Sequence, residues 1–199
     1  MRVELFIEGN TALADGIEKG RIDLAIVIGH EDRATAERVG ELEIVWIALP
    51  SFVSPQGQPF PLAVLGPQCA FRMSAIRHLE TAGIQYRIAA SSPSLDGLWA
   101  AIFGGLGITA RTALNLPEGL RSGGSLYGLP SLGQLPVTLH RGAHSNGVAI
   151  DRMAALLSEA LKLALSSPPK GKAHRNQRNS VIDISTDGTE KYKSHSTRP

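Results

Sequence analysis

The residues of this chain that could carry chemistry are scattered and form no recognisable catalytic set. None of the six histidines pairs with a cysteine, aspartate or glutamate at the spacing of a zinc site. His140 and His144 are four residues apart, but the glycine-containing turn between them breaks a shared helical face. The single cysteine, Cys69, has no histidine close in sequence to activate it. We therefore expect no enzyme activity, no metal site and no cofactor.

Two clusters of small residues could contact an anion. Gly104-Gly105-Leu106-Gly107 lacks the Gly-Lys-Ser/Thr ending of a phosphate loop and follows a helical pattern instead of preceding one. We interpret it as a helix stop and tight turn. Ser91-Ser92-Pro93-Ser94 has two interpretations. It is most simply a helix cap, but its hydroxyls and the helix N-terminus could also face a ligand anion.

The charge of the chain is distributed unevenly. The formal net charge of the whole chain is +2, but residues 170–199 carry a net +4 and residues 1–169 a net −2. A mildly acidic body does not favour binding to a phosphate backbone. No apolar run approaches the roughly 18 residues of a membrane helix, and the N-terminus lacks a signal-peptide pattern. With one cysteine and no internal disulfide, these features predict a cytoplasmic protein that contacts neither membrane nor nucleic acid directly.

The N-terminal part of the chain predicts a β-α-β unit. Residues 3–7 alternate partly, like a strand, Asn10 stands at a helix N-cap position, and Gly20 can end that helix. Residues 23–28 are almost wholly apolar, which is typical of a parallel strand covered on both faces. Residues 30–41 are polar, and we interpret them as a connection between elements.

Strand and helix patterns then continue to residue 165. Strands are predicted at 44–49, 62–65, 84–90, 107–110 and 135–139, and helices at 72–82, 93–106 and 146–165. Ser92 would cap the second of these helices, with Pro93 at its first position. Residues 114–133 contain five glycines and two prolines and predict a loop with short pieces of structure. This order suggests two doubly wound lobes, which bind ligands in the crevice at the carboxyl ends of their strands.

The domain organisation follows from these elements. We expect a first lobe made of residues 1–43 together with 139–165, and a second lobe made of residues 44–138. From residue 166 the chain has few apolar residues, many Lys, Arg, Ser and Asn, and no periodicity. We therefore expect residues 166–199 to be a disordered basic tail.

Several different short motifs follow one another along the chain in a characteristic order and spacing. They are Glu8-Gly9-Asn10, Glu18 to Ile26, Leu42 to Leu49, Phe60 to Ala63, Pro67 to Arg72, Ser91 to Leu95 and Gly104 to Thr112. Together they resemble the C-terminal effector-binding (LysR substrate-binding) domain of LysR-type transcription regulators, over residues 3–165. The resemblance implies a periplasmic-binding-protein-like α/β fold, with two lobes joined by a two-strand hinge and a small-molecule effector in the cleft.

The resemblance also implies an effector site at the strand ends. Its candidate residues are Asn10, Gln68, Cys69, Phe71, Arg72, Ser91, Ser92 and Thr109. Hydroxyls, a carboxamide, helix N-termini and one guanidinium would suit a small carboxylate. Arg72 has two interpretations: it could bind the effector, or it could be a solvated residue in a first helical turn.

The sequence departs from the family at its N-terminal end. Residues 1–199 contain neither the helix-turn-helix and linker helix, which bind DNA and dimerise, nor the family's first strand and first helix of the first lobe. We therefore expect an N-terminally truncated first lobe whose apolar strand edges promote a homo-oligomer. In a full-length regulator, DNA would be contacted through the absent helix-turn-helix.

Three alternatives to an effector-sensing domain stay open. A periplasmic-type solute-binding protein for transport shares the fold, and an enzyme could use a similar scaffold. A non-functional remnant of a regulator gene would also account for the missing segments and the basic tail.

Overall fold

The computed structural model describes residues 3–29, 36–53, 56–123 and 125–166. Within these ranges lie four α-helices and eight β-strands. The helices are α1 (Asn10–Glu18), α2 (Ala70–Thr81), α3 (Leu95–Phe103) and α4 (Val148–Ser166). The strands are β1 (Leu24–Ile28), β2 (Ala36–Glu43), β3 (Val45–Ala48), β4 (Phe60–Val64), β5 (Tyr86–Ser91), β6 (Thr109–Arg111), β7 (Arg121–Gly123) and β8 (Gln134–Arg141).

The first sheet has the strand order β1-β8-β2, and β8 is antiparallel to both neighbours. The helix α1 packs Ile17 against Ala25 and Val27 of β1. The helix α4 crosses β2 at Gly40, where a Cβ would lie 2.7 Å from Leu165 Cδ1. The carboxyl end of β1 and the start of α1 lie next to each other at one edge of this sheet.

The second sheet combines a parallel and an antiparallel part. Strand β3 lies between β6 and β7 and is antiparallel to both, whereas β4 and β5 are parallel. A parallel bridge between Leu62 and Ile108 joins the two parts, through Ala63 N–H donating to Ile108 O at 2.8 Å. The order is therefore β5-β4-β6-β3-β7, and Arg72 in the first turn of α2 donates to Leu65 O directly after β4.

One continuous core connects the two sheets. It includes Trp46 and Leu62 of the second sheet and Val137 and Leu139 of the first. Trp46 is fully buried, and its indole N–H donates to Pro130 O at 2.8 Å. The chain passes from the first sheet to the second directly before β3 and returns to the first before β8. The same apolar cluster packs around both of these crossings.

The prediction of a strand at residues 3–7 is wrong. Residues 3–9 have no regular structure, and the side chains of Leu5 and Ile7 are 85% and 92% exposed. A strand needs a neighbour for its N–H and C=O groups, and among the described residues β1 pairs only with β8. The predicted β-α-β unit therefore consists of α1 and β1 alone.

Two further expectations for the first sheet are corrected. Strand β1 is antiparallel to its neighbour and alternates in burial, so it is not a parallel strand covered on both faces. Residues 36–41, predicted to be a polar connection, belong to β2, while residues 30–35 lie outside the described residues. Only Val39 and Leu42 of β2 are buried, because its other face carries polar side chains.

Two predicted helix caps are also wrong. Helix α1 begins at Asn10, and Gly9 occupies its N-cap position without a side-chain capping bond. Helix α3 is capped by Ser94, whose Oγ accepts from the Gly97 N–H at 3.2 Å, so Ser92 is not the cap. The short strand β7 lies inside the predicted loop 114–133. The remaining predicted strands and helices are confirmed with shifted ends, and residues 167–199 of the predicted tail lie outside the described ranges.

Candidate functional site

The two sheets meet where α1 begins, β1 ends and α2 begins. Asn10 Nδ2 donates to Ile28 O at 2.7 Å, which ties the start of α1 to the end of β1. Thr11 Oγ1 donates to Gln68 Oε1 at 3.0 Å, which joins α1 to the loop before α2. Of the predicted site residues, Asn10 and Gln68 therefore lie on opposite sides of this contact.

Four more of the predicted residues lie together on the second sheet. Cys69, Phe71, Arg72 and Thr109 line one cavity of about 10 Å³, enclosed by β3, β4, β6, α2 and α3. That volume has room for roughly one water molecule. The cavity adjoins the contact between the sheets, because Cys69 directly follows Gln68.

The first turn of α2 forms part of the wall of this cavity. Cys69 is the N-cap residue and makes no side-chain capping bond. The first N–H groups of an α-helix have no acceptor within the helix and carry a partial positive charge. They are suited to bind a negatively charged group.

Thr109 places a hydroxyl in the same wall. The residue is 2% exposed and lines the cavity together with Cys69, Phe71 and Arg72. Among the described residues, no buried side-chain nitrogen or oxygen lacks a hydrogen-bond partner.

The two arginines at the cavity have different surroundings. Arg72 Nη1 donates to Leu65 O at 3.0 Å, so its guanidinium binds the backbone at the end of β4. Arg111 instead lies over the Phe71 ring, with Cζ 4.3 Å from the ring centroid. Burial lowers the pKa of Arg111 below its ordinary value, and the neighbouring Cys69 side chain opposes that shift.

Arg111 was not among the residues predicted from sequence. A signal was present, because Thr109 and Arg111 are two residues apart on one strand and so share a face. Thr109 was predicted from the resemblance alone. Because side chains alternate between the two faces of a strand, Arg111 could have been predicted to lie on the same face as Thr109.

The two predicted serines lie apart from the cavity. Ser91 is exposed at the end of β5, opposite Val64 of β4. Ser92 Oγ donates to Ser94 O at 2.9 Å and accepts from the Ser94 N–H at 3.1 Å. Its hydroxyl is therefore engaged in the turn that leads into α3, and neither serine lines the cavity.

The described residues contain no group of three or more His, Cys, Asp or Glu side chains that could hold a metal ion. No described helix combines the length and apolar character needed to span a membrane.

The sequence and the fold resemble those of known proteins. A family profile for the LysR substrate binding domain matches residues 1–162. The transcriptional regulators DgdR of Burkholderia cepacia and PecT of Dickeya dadantii are each 28% identical, over 78% and 66% of this chain. The chain spans about half the length of these curated relatives, 54% and 42% respectively.

A solved structure shares the fold. The regulatory domain of CcmR from Synechocystis PCC6803, in complex with 2-PG, has a TM-score of 0.63 at 14% identity. The likeness covers 81% of this chain and 84% of that one. The fold is thus the periplasmic-binding-protein-like α/β fold of LysR regulatory domains. The chain belongs to the LysR substrate-binding-domain family, and its described residues contain no helix-turn-helix domain.

Proposed function

We propose that this chain is the part of a LysR-type transcription regulator that senses a small carboxylate effector. The observation that carries the proposal is that Cys69, Phe71, Arg72 and Thr109 line one cavity next to the first turn of α2. The names of the curated relatives favour regulation over solute transport. Nothing in the described cavity supplies a nucleophile with a base, so we propose a binding site and not an enzyme.

The proposed effector site spans the contact between the sheets. Cys69, Phe71, Arg72 and Thr109 would surround the effector on the second sheet, with Asn10 and Gln68 facing them. Ser91 and Ser92 would lie at its margin, beyond the end of β4. Because the cavity itself admits only about one water-sized group, the body of the effector would lie outside it.

A thermal-shift and calorimetry screen of the full chain tests this function. Small aliphatic and aromatic carboxylates are added at matched ionic strength, and hits are repeated on Thr109→Val, which keeps the shape but removes the hydroxyl. We expect at least one carboxylate to raise the Tm, since a ligand that binds only the folded state stabilises it. Thr109→Val should lower the affinity for that ligand about fivefold or more. A change of this size corresponds to the free energy of one hydrogen bond.

Two further variants extend this screen. Asn10→Ala and Arg72→Ala alter the two sides of the proposed site, and each removes a hydrogen bond to backbone. Ligand-induced shifts are therefore compared after subtracting each variant's own change in Tm. A screen without any hit, or hits that Thr109→Val, Asn10→Ala and Arg72→Ala all leave unchanged, would reject the function.

The proposal includes the organisation and partners of the chain. We propose a first lobe of residues 1–43 with 139–165 and a second lobe of residues 44–138, which correspond broadly to the two sheets. We also propose a homo-oligomer in the cytoplasm. Direct contact with DNA is not expected of this chain, because residues 1–169 carry a net charge of −2.

A further inference from the structure

The helix α4 carries apolar residues on two of its sides. One side packs against the main core through Ala154, Leu157, Leu161 and Leu165. The other side, here called the outer stripe, consists of Ala149, Met153, Leu156, Ala160 and Leu163. Leu156 and Leu163 of this stripe are 54% and 70% exposed. Neighbouring apolar side chains that stay exposed mark a surface that another chain can cover.

The outer stripe has the spacing of a coiled-coil seam. Its members follow one another at intervals of four, three, four and three residues. Positions a and d of a heptad repeat at these intervals, and a helix that is apolar at both packs lengthwise along a second helix. Residues 149–163 rise about 21 Å along the helix axis, so the seam extends over most of α4.

Two exposed charges of opposite sign border the outer stripe. Arg152 and Glu159 are one heptad apart on the same side of the stripe, and neither forms an ion pair with another described residue. The stripe and these two positions are both centred near Leu156. If a second α4 lies antiparallel about this centre, each Arg152 lies opposite the Glu159 of the other copy. Charges that flank a seam in this way select the partner and its orientation.

A parallel pair of α4 helices would have no such charge pairing. Arg152 and Glu159 would each lie level with the same residue of the other copy, about 10 Å along the axis from the opposite charge. In addition, α4 ends at Ser166, and residues 170–199 of the chain carry a net charge of +4. Two copies of this basic segment would leave a parallel pair at one end and repel each other. In an antiparallel pair they leave at opposite ends.

We propose that α4 binds α4 of a second copy of this chain, antiparallel and through the outer stripe, with Arg152 of each copy paired to Glu159 of the other. This inference rests on the homo-oligomer included in the proposed function and adds to it the surface that forms the contact. The contact is isologous, because both copies use the same surface, and it therefore closes as a dimer. No residue of α4 lines the cavity, so pairing and effector binding can be measured separately.

Light scattering after size exclusion of the full chain tests the outer stripe. We expect a mass above the monomer's 21.2 kDa for the wild type and a lower mass for the double variant Leu156→Ser and Leu163→Ser. The matched control is the double variant Leu106→Ser and Val148→Ser, because both residues are exposed, at 51% and 85%, and lie outside the stripe. This control should keep the wild-type mass.

Charge exchange tests the two ion pairs. Arg152→Glu and Glu159→Arg should each raise the Kd of self-association about fivefold or more at low salt, since each change places like charges opposite each other. The double variant Arg152→Glu and Glu159→Arg should restore the wild-type Kd, because opposite charges again face each other. Sedimentation equilibrium at several protein concentrations measures these values.

Cysteine cross-linking reports the relative direction of the two helices. Leu156→Cys lies near the proposed two-fold axis and should form a disulfide-linked dimer under mild oxidation. Leu163→Cys should not, because its two copies would lie about 21 Å apart along the axis, beyond the reach of a disulfide. In a parallel pair both variants would cross-link. The wild type, whose only cysteine is Cys69, is the reference.

Several results would overturn the inference. If the wild type self-associates but the serine variant keeps its mass, the outer stripe is not the contact, while the proposed homo-oligomer stands. A double charge exchange that restores nothing contradicts the ion pairs, and cross-linking of Leu163→Cys contradicts the antiparallel arrangement. A monomeric wild type contradicts both the inference and the homo-oligomer, whereas effector sensing is still decided by the carboxylate screen. If the serine variant does not fold, the charge variants decide.

Discussion

The hydroxyl of Thr11 on α1 donates to Oε1 of Gln68, in the loop before α2, at 3.0 Å. These residues belong to elements that pack on different sheets and are 57 positions apart in sequence. The bond therefore joins the two sides of the proposed effector site.

Thr11→Val is expected to weaken effector binding more than it weakens the fold. The bond is exposed, so its loss should lower the free energy of unfolding by less than about 0.5 kcal/mol. Carboxylate affinity should fall several-fold, because the two sides of the site are less well pre-organised. Urea unfolding and calorimetry measure the two effects.

Thr81→Val is the matched control for this variant, because the Thr81 hydroxyl donates to Arg77 O within α2, equally exposed and away from the contact. It should change stability to a similar extent without changing affinity. Equal affinities for the two variants would contradict a role of the Thr11 bond in binding.

Gly29→Ala is expected to strain the contact between the sheets. Gly29 has φ +83°, and a Cβ there would lie 2.7 Å from the Cβ of Ala70 at the start of α2. Gly20 has a similar φ of +67° but nothing within 4 Å of the corresponding position. Gly20→Ala should therefore cost about 1–2 kcal/mol for backbone strain alone, and Gly29→Ala at least about 1 kcal/mol more.

Urea unfolding of the two alanine variants under one set of conditions measures this difference. It also reports on the closeness of the sheets in solution, since the additional cost arises only if α2 stays near the end of β1. Indistinguishable unfolding free energies would mean that Ala70 moves away without cost.

The interaction of Glu37 with α4 is expected to depend on pH. Lys162 Nζ and Ser158 Oγ each donate to Glu37 Oε1 at 2.7 Å, and these two hydrogen bonds lower the pKa of Glu37 below its usual range. A lowered pKa in the folded state adds stability above the ordinary glutamate value of about 4.3. That stability is lost as the pH falls through the lower, folded value.

The difference in unfolding free energy between wild type and Glu37→Gln should therefore be present at neutral pH and vanish in acid. Because the pair is largely exposed, the difference should stay below about 1 kcal/mol. Urea unfolding of both proteins across the acidic range measures it, with Lys162→Met to complete a double-mutant cycle. A difference that does not change with pH would show that the ion pair contributes nothing.

Self-association is expected to depend on the exposed apolar residues before α1. Leu5 and Ile7 lie outside any strand in residues 3–9, where they can pair with another copy. Light scattering after size exclusion should give a mass above the monomer's 21.2 kDa. The double variant Leu5→Ser and Ile7→Ser should lower that mass without a change in Tm.

Val148→Ser is the control for that experiment, because Val148 is 85% exposed on α4, away from residues 3–9. It should leave the mass unchanged. A monomeric wild type would contradict the proposed homo-oligomer, and an unchanged mass in the double variant would place the contact elsewhere.

Local sequence patterns predicted most of the second sheet and its helices. Strand β3 is a short continuous apolar run, helices α2 and α3 have apolar residues at helical spacing, and the ends of all three differ from the predicted ones by a few residues. Residues 3–7 also alternate, yet they form no strand. Their conformation depends on a partner strand, which periodicity within the segment does not report.

The candidate site was predicted in part. The resemblance identified Cys69, Phe71, Arg72 and Thr109, which line one cavity. It also suggested Arg72 as the cation of the site, but the Arg72 guanidinium donates to Leu65 O, while Arg111 lies over the Phe71 ring beside Cys69. The two arginines have the same side chain and differ only in the residues that the fold brings next to them. Residue type alone therefore cannot distinguish them.

The sequence by itself determined the alternation of strands and helices and the family to which the chain belongs, because both depend on local residue types and their spacing. Tertiary structure alone decided that β1 runs antiparallel to β8, that Thr11 meets Gln68, and that Arg111 shares a cavity with Thr109. Each of these depends on which distant backbone or side chain satisfies a hydrogen bond or covers a charge. Such partners are selected by the packing of the whole chain.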